Sequence, residues 1–193
     1  MYDVYVRGLC SGDSSNWSFV YQFHTECPYA TLPIFESFDS ITGSTATSSM
    51  PNILPSCWDY YNDGTRTNYQ GCPYVYNSST YAHSGSNCIR FYSFNSSGDS
   101  NQYLILPVFD SNEYMISDLQ LSFWLRGNST SSNYFNNVVV GVMTEPNNEY
   151  SFIPYDTILS STTTYTYHEV NLNRYTPSTG TAPPRTSGSR TSL

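Results

Sequence analysis

Nucleophilic catalysis needs a serine or cysteine within reach of a histidine and an acid. The histidines of this chain are His24, His83 and His168. No Gly-x-Ser-x-Gly elbow and no Cys–His signature surrounds them, so they read as structural or solvated side chains. Glycoside hydrolysis needs two carboxylates at a fixed separation, one of them with a raised pKa. Glu36 and Asp39 are close in sequence. Three residues apart on a strand, they would point to opposite faces, and no Glu-x-Asp-x-x-Glu pattern is present. Asp59-x-x-x-Asp63-Gly64 lacks the spacing of an EF-hand calcium loop.

Sugar binding asks for something different: aromatic faces that stack on pyranose rings, flanked by amides and carboxylates that take the hydroxyls. Trp58, Tyr60, Tyr61, Tyr69, Tyr74, Tyr76 and Tyr81 fall in one turn-rich stretch with Asn62, Asp63, Asn68 and Gln70. That palette makes Trp58, Tyr60, Tyr61, Tyr69, Tyr74 and Tyr76 the candidate ligand-binding residues. The competing reading is that tyrosine is a favoured strand residue and Trp58 a core residue.

The elements that must position these groups are strands. The chain has 193 residues, room for one full domain and a fragment. It holds 19 Tyr, 10 Phe and 3 Trp, only 11% charged residues, and no segment with a sustained helical period. Such a composition points to an all-β protein. The net charge of −8 and the absence of lysine leave no basic stripe, which excludes nucleic-acid binding. No apolar run reaches the length of a membrane span.

Tyr2-Asp3-Val4-Tyr5-Val6-Arg7 alternates like a half-buried strand, residues 11–16 form a turn, and residues 17–23 a second strand. A lone hairpin is marginal in water, so its partners are expected upstream of Met1. A seam follows at residues 23–39, and a second domain begins near Pro28. Its expected first strand is residues 33–39, and residues 41–52 form a Ser/Thr loop. Residues 54–58 lead into a second strand, Tyr60 to Gly64 form a turn, and a strand runs through Tyr74 and Val75. Further strands start at Ser84 and run through Ile89, Phe91 and Phe94, then Tyr103 to Pro107. In residues 119–125, Leu119, Leu121, Phe123 and Leu125 share one face. Val138, Val140 and Val142 repeat that pattern. In residues 164–172, Val170 and Leu172 face one way, Tyr165 and Tyr167 the other. About eight short strands with polar turns imply a two-sheet sandwich.

Five cysteines leave at least one thiol unpaired. Cys10 and Cys27 could flank the hairpin and pair. Among Cys57, Cys72 and Cys88 one bridge is possible, and its members stay open.

Residues 1–25, with Tyr2-x-Val4-x-Val6-Arg7, a cysteine, a Gly/Asp/Ser turn, Trp17-Ser18 and Phe23-x-Thr25, resemble the last two strands of a fibronectin type III domain of the kind found in Bacteroidetes surface proteins. Residues 28–175 resemble the cleaved-adhesin and choice-of-anchor J group, relatives of MAM-type jelly rolls. The resembling pieces are Pro33-x-Phe35-Glu36-x-Phe38-Asp39, Leu54-Pro55-x-Cys57-Trp58, His83-Ser84-Gly85-Ser86-Asn87, Leu106-Pro107, Leu119-x-Leu121-Ser122-Phe123-Trp124 and Val140-Gly141-Val142-Met143-Thr144. The resemblance implies a structural calcium ion near the first strand. Carried over, its ligands would be Glu36 and Asp39, with Asn87 as a further oxygen.

The family pattern continues after residues 165–172 with strands that this chain replaces by Gly180-Thr181-Ala182-Pro183-Pro184-Arg185. Prolines there lack ladder donors, so the jelly roll is expected to lack its closing strands and the tail to read as truncated. The expectation is therefore an all-β chain in three parts. Residues 1–26 are an immunoglobulin-like β-hairpin remnant, residues 28–175 a jelly-roll β-sandwich, and residues 176–193 a disordered or truncated tail. Its expected role is a non-catalytic extracellular or cell-surface module that binds glycans or host and matrix proteins. The alternatives are an accessory fragment of a secreted peptidase or glycoside hydrolase, and a structural spacer.

Overall fold

The computed structural model describes residues 2–23, 27–43, 53–62, 71–92, 101–128, 136–146, 148–176 and 190–192. Expectations for His24, Asp63, Asn68, Tyr69, Gln70, Phe94 and the tail residues 177–189 lie outside them.

At the start, β1 (Tyr2–Val4) pairs antiparallel with β4 (Tyr21–Phe23), and β2 (Leu9–Cys10) with β3 (Asp13–Ser14). Gly12 makes the tight turn at φ +88°, a conformation that a Cβ would strain. Two serines replace ladder partners: Ser18 Oγ accepts from Val6 N–H and Ser15 Oγ from Gly8 N–H. The Arg7 guanidinium lies 4.7 Å from the Trp17 ring centroid. Val6, Leu9, Trp17 and Phe19 are all exposed, so this hairpin buries little of its own apolar surface.

The remaining strands are β5 (Asp59–Asn62), β6 (Tyr74–Asn77), β7 (Asn87–Arg90), β8 (Gln102–Ile105), β9 (Gln120–Leu125), β10 (Asn136–Met143), β11 (Phe152–Ser160), β12 (Thr166–Asn171) and β13 (Arg190–Ser192). Two short 3-10 turns, Ile116–Asp118 and Glu149–Ser151, are the helical elements among the described residues. The fold is all-β, as the composition required. The largest sheet has the order β11-β10-β13-β8-β5, while β6–β7 and β9–β12 are separate antiparallel pairs. Among the described residues the sheets stay small and do not close into a barrel.

Alternation explains the layering. On β9 and β12, Leu121, Phe123, Leu125 and Val170 point inward and meet Val140 and Ile158 of the large sheet, with Leu172 and Ile116 sealing the edge. Each fully buried Val or Ile contributes about 1.5–3 kcal/mol. A second cluster, Val139, Tyr103 and Phe152 with Tyr61 and Met143 against it, covers part of the opposite face. The sheet is thus buried on both sides at β10, where Val138, Val139 and Val140 are all inside.

Several expectations are corrected. Residues 33–39 form no strand; the nearest ladder contact is a parallel bridge between Ala30 and Phe109. Pro33 brings no donor, Phe38 adopts φ +66°, and Glu36 Oε1 accepts from Phe38 N–H at 2.6 Å, a local bond that competes with pairing. Tyr60 to Asn62 are strand rather than turn, because Tyr61 packs edge-on against Tyr103 of β8 at 5.6 Å. The strand β11 was not expected, since Pro154 lies inside it. Val140 faces Asp156 and Gly141 faces Pro154, so Tyr155 is an extra, bulged residue there. A bulge on an edge strand is where proline is tolerated. In the tail, the backbone of Arg190–Ser192 lies parallel between β8 and β10, a pairing that the composition gave no reason to expect.

The disulfide is Cys27–Cys57, with Cα atoms 5.6 Å apart, and not Cys10–Cys27. Cys10 sits exposed on the hairpin, whereas residues 28–30 and 55–58 run along one cleft. Cys10, Cys72 and Cys88 are free thiols.

Candidate functional site

The β9–β12 pair has an inner face that fills the core and an outer face that does not. Its register sets Trp124 opposite Tyr167, Ser122 opposite Glu169, and Gln120 opposite Asn171. All six side chains are exposed, Trp124 to 49% and Tyr167 to 51%. The two rings lie 5.3 Å apart with planes at 58°. Beside them, Asn171 Nδ2 donates to Glu169 Oε1 at 3.3 Å, and Tyr155 Oη donates to the Asn171 carbonyl at 2.7 Å. The surface is an aromatic pair continued by amide, hydroxyl and carboxylate groups.

A neighbouring loop holds the indole in place. His83 stacks on Trp124 with centroids 4.2 Å apart and planes 15° from parallel, and meets the edge of Tyr165 at 5.0 Å. Tyr165 Oη donates to the Tyr81 carbonyl. Burial, foremost, pushes the Tyr165 phenol up to about 12, with the Cys88 sulfur adding to the rise and Arg126 opposing it. It therefore remains a donor at neutral pH. The Arg126 guanidinium lies 5.2 Å from Tyr81 and 5.8 Å from Tyr165, and its Nη1 donates to the Thr80 carbonyl at 3.2 Å. Arg90 sits 4.5 Å from both Tyr76 and Tyr92. The Arg126 contacts tie the β6–β7 hairpin to the β9–β12 pair, while those of Arg90 brace the hairpin itself.

The loop is in turn clamped from below. Asp39 Oδ1 accepts from Ser86 N–H at 2.8 Å and Asn87 N–H at 3.1 Å. Asn87, only 4% exposed, donates through Nδ2 to the carbonyls of Phe38 and Ile41 and accepts through Oδ1 from Asn77 Nδ2. A Cβ on Gly85 (φ +67°) would lie 2.0 Å from Asp39 Oδ2, so glycine is required there.

Asp39 and Asn87 are in direct contact, and Glu36 Oε1 accepts from the N–H of Phe38, next to Asp39 in the chain. One oxygen of each expected calcium ligand, Glu36 Oε1, Asp39 Oδ1 and Asn87 Oδ1, accepts a protein hydrogen bond, and an ion at that oxygen would share it with the donor. Among the described residues no three His, Cys, Asp or Glu side chains converge.

The aromatic candidates disperse. Tyr74 is fully buried, and Tyr61 packs on Tyr103. Tyr60 is half-buried, its phenol raised by burial first, then by Cys72 and Asp59. Tyr76 serves the Arg90 contact. Trp58, edge-on to Phe38 at 5.7 Å, lines a separate cleft of about 460 Å³ with Tyr29, Ile34, Glu36 and Pro55. The face formed by Trp124, Tyr167 and their polar neighbours was not among the candidates. Its signal was present: Trp124 is out of phase with Leu121, Phe123 and Leu125, and Tyr167 with Val170.

Comparison of the chain with protein-family models, with curated proteins and with solved structures gave no match. Among the described residues no helix is long and apolar enough to cross a membrane.

Proposed function

We propose that this chain is a non-catalytic binding module for carbohydrate, and that the outer face of β9–β12 is the surface that takes it. The observation that carries this reading is the cross-strand pair Trp124–Tyr167, half-exposed and bordered by Gln120, Ser122, Glu169 and Asn171. An aromatic face gains by covering the C–H side of a pyranose, and the neighbouring groups can exchange hydrogen bonds with its hydroxyls. The Cys27–Cys57 bridge supports an oxidising, extracellular setting of the kind in which the cleaved-adhesin and choice-of-anchor J group, which the sequence resembles, is found. A stabilising calcium ion at Glu36, Asp39 and Asn87 is a separate proposal, and a gain in melting temperature on adding calcium is its test.

The test of the binding reading is a glycan and matrix-protein screen of the full chain beside Trp124→Ala and Tyr167→Ala. Stacking on each ring is expected to contribute about 1 kcal/mol, so each substitution should weaken binding several-fold; Tyr167→Ala should change stability least, because Trp124→Ala also removes the His83 stack. Binding that survives both substitutions would move the site elsewhere. A screen with no ligand would favour a structural spacer.

A further inference from the structure

The cleft lined by Trp58 has walls fixed by covalent and backbone links. The Cys27–Cys57 bridge joins the two segments, residues 28–30 and 55–58, that form much of it. Ala30 N–H donates to the Val108 carbonyl at 2.8 Å, which seats the first segment near Pro107. Trp58 N–H donates to the Pro55 carbonyl at 3.1 Å, and the Trp58 ring meets Phe38 edge-on at 5.7 Å. The volume of about 460 Å³ falls within the roughly 300–1,000 Å³ of small-molecule sites. Tyr29 and Ile34 are exposed, so the cleft is open to a ligand from solvent.

The lining is largely apolar and aromatic, with Tyr29, Ile34, Pro55, Pro107 and Trp58, and Glu36 is its one side chain of formal charge. Glu36 is half-buried, and its Oε1 accepts from Phe38 N–H at 2.6 Å. Among the described residues its second oxygen meets no donor, and no arginine lines the cleft with it. A carboxylate drawn partly out of water is ordinarily paired. Asp39 and Asn87, the other oxygens proposed for calcium, do not line the cleft, and one carboxylate among apolar side chains is too few oxygens for a hard metal ion. Aromatic faces beside a single carboxylate suit a weakly hydrated cation instead.

We propose that this cleft binds a small alkylated ammonium ion, of the class of choline, with Trp58 and Tyr29 against its alkyl groups and the Glu36 carboxylate as its counter-charge. Alkyl groups on the nitrogen spread the charge, lower the cost of leaving water, and give the rings apolar surface to cover. The net charge of −8 draws cations of every kind toward the protein, and the apolar lining selects among them. The site shares no residue with the Trp124–Tyr167 face and takes a different ligand class, so either reading can fail without the other.

The experiment is an NMR titration of the ¹⁵N-labelled full chain with choline chloride, with its neutral tert-butyl isostere (carbon in place of nitrogen), and with ammonium chloride, at constant ionic strength. Chelator is present throughout, so that calcium does not compete for Glu36. Saturable shifts at the Trp58 indole N–H and the Ala30 and Glu36 amides are expected with choline. The isostere should bind about ten-fold more weakly, the scale of a partly desolvated cation–π contact, and ammonium should not saturate. Glu36→Gln keeps an oxygen for Phe38 N–H and should weaken choline binding about ten-fold. Trp58→Phe keeps a ring beside Phe38 and should weaken it several-fold, because indole is the better cation–π face. An isostere as tight as choline, unchanged choline affinity in Glu36→Gln, linear shifts without saturation, or shifts centred on the Trp124 indole would each overturn the proposal.

Discussion

His83 lies flat against Trp124, ring centroids 4.2 Å apart, and so couples an exposed loop to the outer face of β9–β12. Because His83 is itself exposed, little burial depends on it. His83→Ala should cost about 0.5–1.5 kcal/mol of stability, the range of an aromatic pair. It should also free the indole, shift tryptophan emission and weaken glycan binding. Denaturant melts with a fluorescence readout check this; a loss beyond about 3 kcal/mol would mean the loop has a structural role.

Asn87 is the most heavily bonded buried polar side chain in the clamp. Asn87→Ala would remove the bonds to the Phe38 and Ile41 carbonyls and to the Asn77 amide, leaving Phe38 only its bond from Ile41 N–H. The expected loss is on the order of 3 kcal/mol, read by urea unfolding. If calcium is held here, chelator lowers the wild-type melting temperature and leaves that of the variant unmoved. If the clamp works by hydrogen bonds alone, chelator changes neither.

Gly141 of β10 sits opposite the β11 bulge, where a Cβ would be 2.4 Å from the Ile153 carbonyl oxygen and 2.6 Å from the Phe152 ring. Gly141→Ala should destabilise by about 1–3 kcal/mol through overpacking. Guanidinium unfolding of the variant tests it, and a neutral result would mean that β11 moves freely against β10.

Alkaline pH should unfold the chain progressively. Burial pushes the Cys72 thiol from 9.0 to about 11, and the Tyr165 phenol from 10.0 to about 12. Both groups are neutral when protonated, and both folded values exceed the unfolded ones. Their contribution is therefore complete below pH 9 and is lost as pH rises through 11 for Cys72 and through 12 for Tyr165. Urea midpoints at increasing pH should fall, and Cys72→Ala should remove the portion that begins near 9. A midpoint flat across that window would contradict the burial of both groups.

The cysteines should separate cleanly by substitution. Cys27→Ser or Cys57→Ser opens a loop of 30 residues and should cost about 2–5 kcal/mol. Cys10→Ser, at an exposed free thiol, should stay within about 0.5 kcal/mol. Thermal melts with and without reductant decide it: reductant should lower the wild type to the level of the two bridge variants.

Strands with one buried face were legible because alternation is local. Residues 119–125 and 164–172 carry a period of two that contains its own inside and outside, while the register that pairs Leu121 with Val170 and Trp124 with Tyr167 came only with the fold. Residues 152–160 were not legible, because Pro154 argues against a strand until its partner supplies a bulge. Residues 33–39 misled in the other direction. Their aromatic and apolar alternation looked like a strand, but local bonds from Glu36 and a left-handed Phe38 hold them out of any ladder.

The same distinction runs through the sites. Composition and period by themselves determined an all-β chain and placed Tyr165 and Tyr167 on the face opposite Val170. These properties depend only on residue type and on neighbours two positions away. Which cysteine meets Cys27, which aromatic residues are left outside the core, and that His83 rests on Trp124 were decided by tertiary structure alone. Each joins residues 30 or more positions apart, and no local rule reports which distant surfaces will be covered once the sheets have packed.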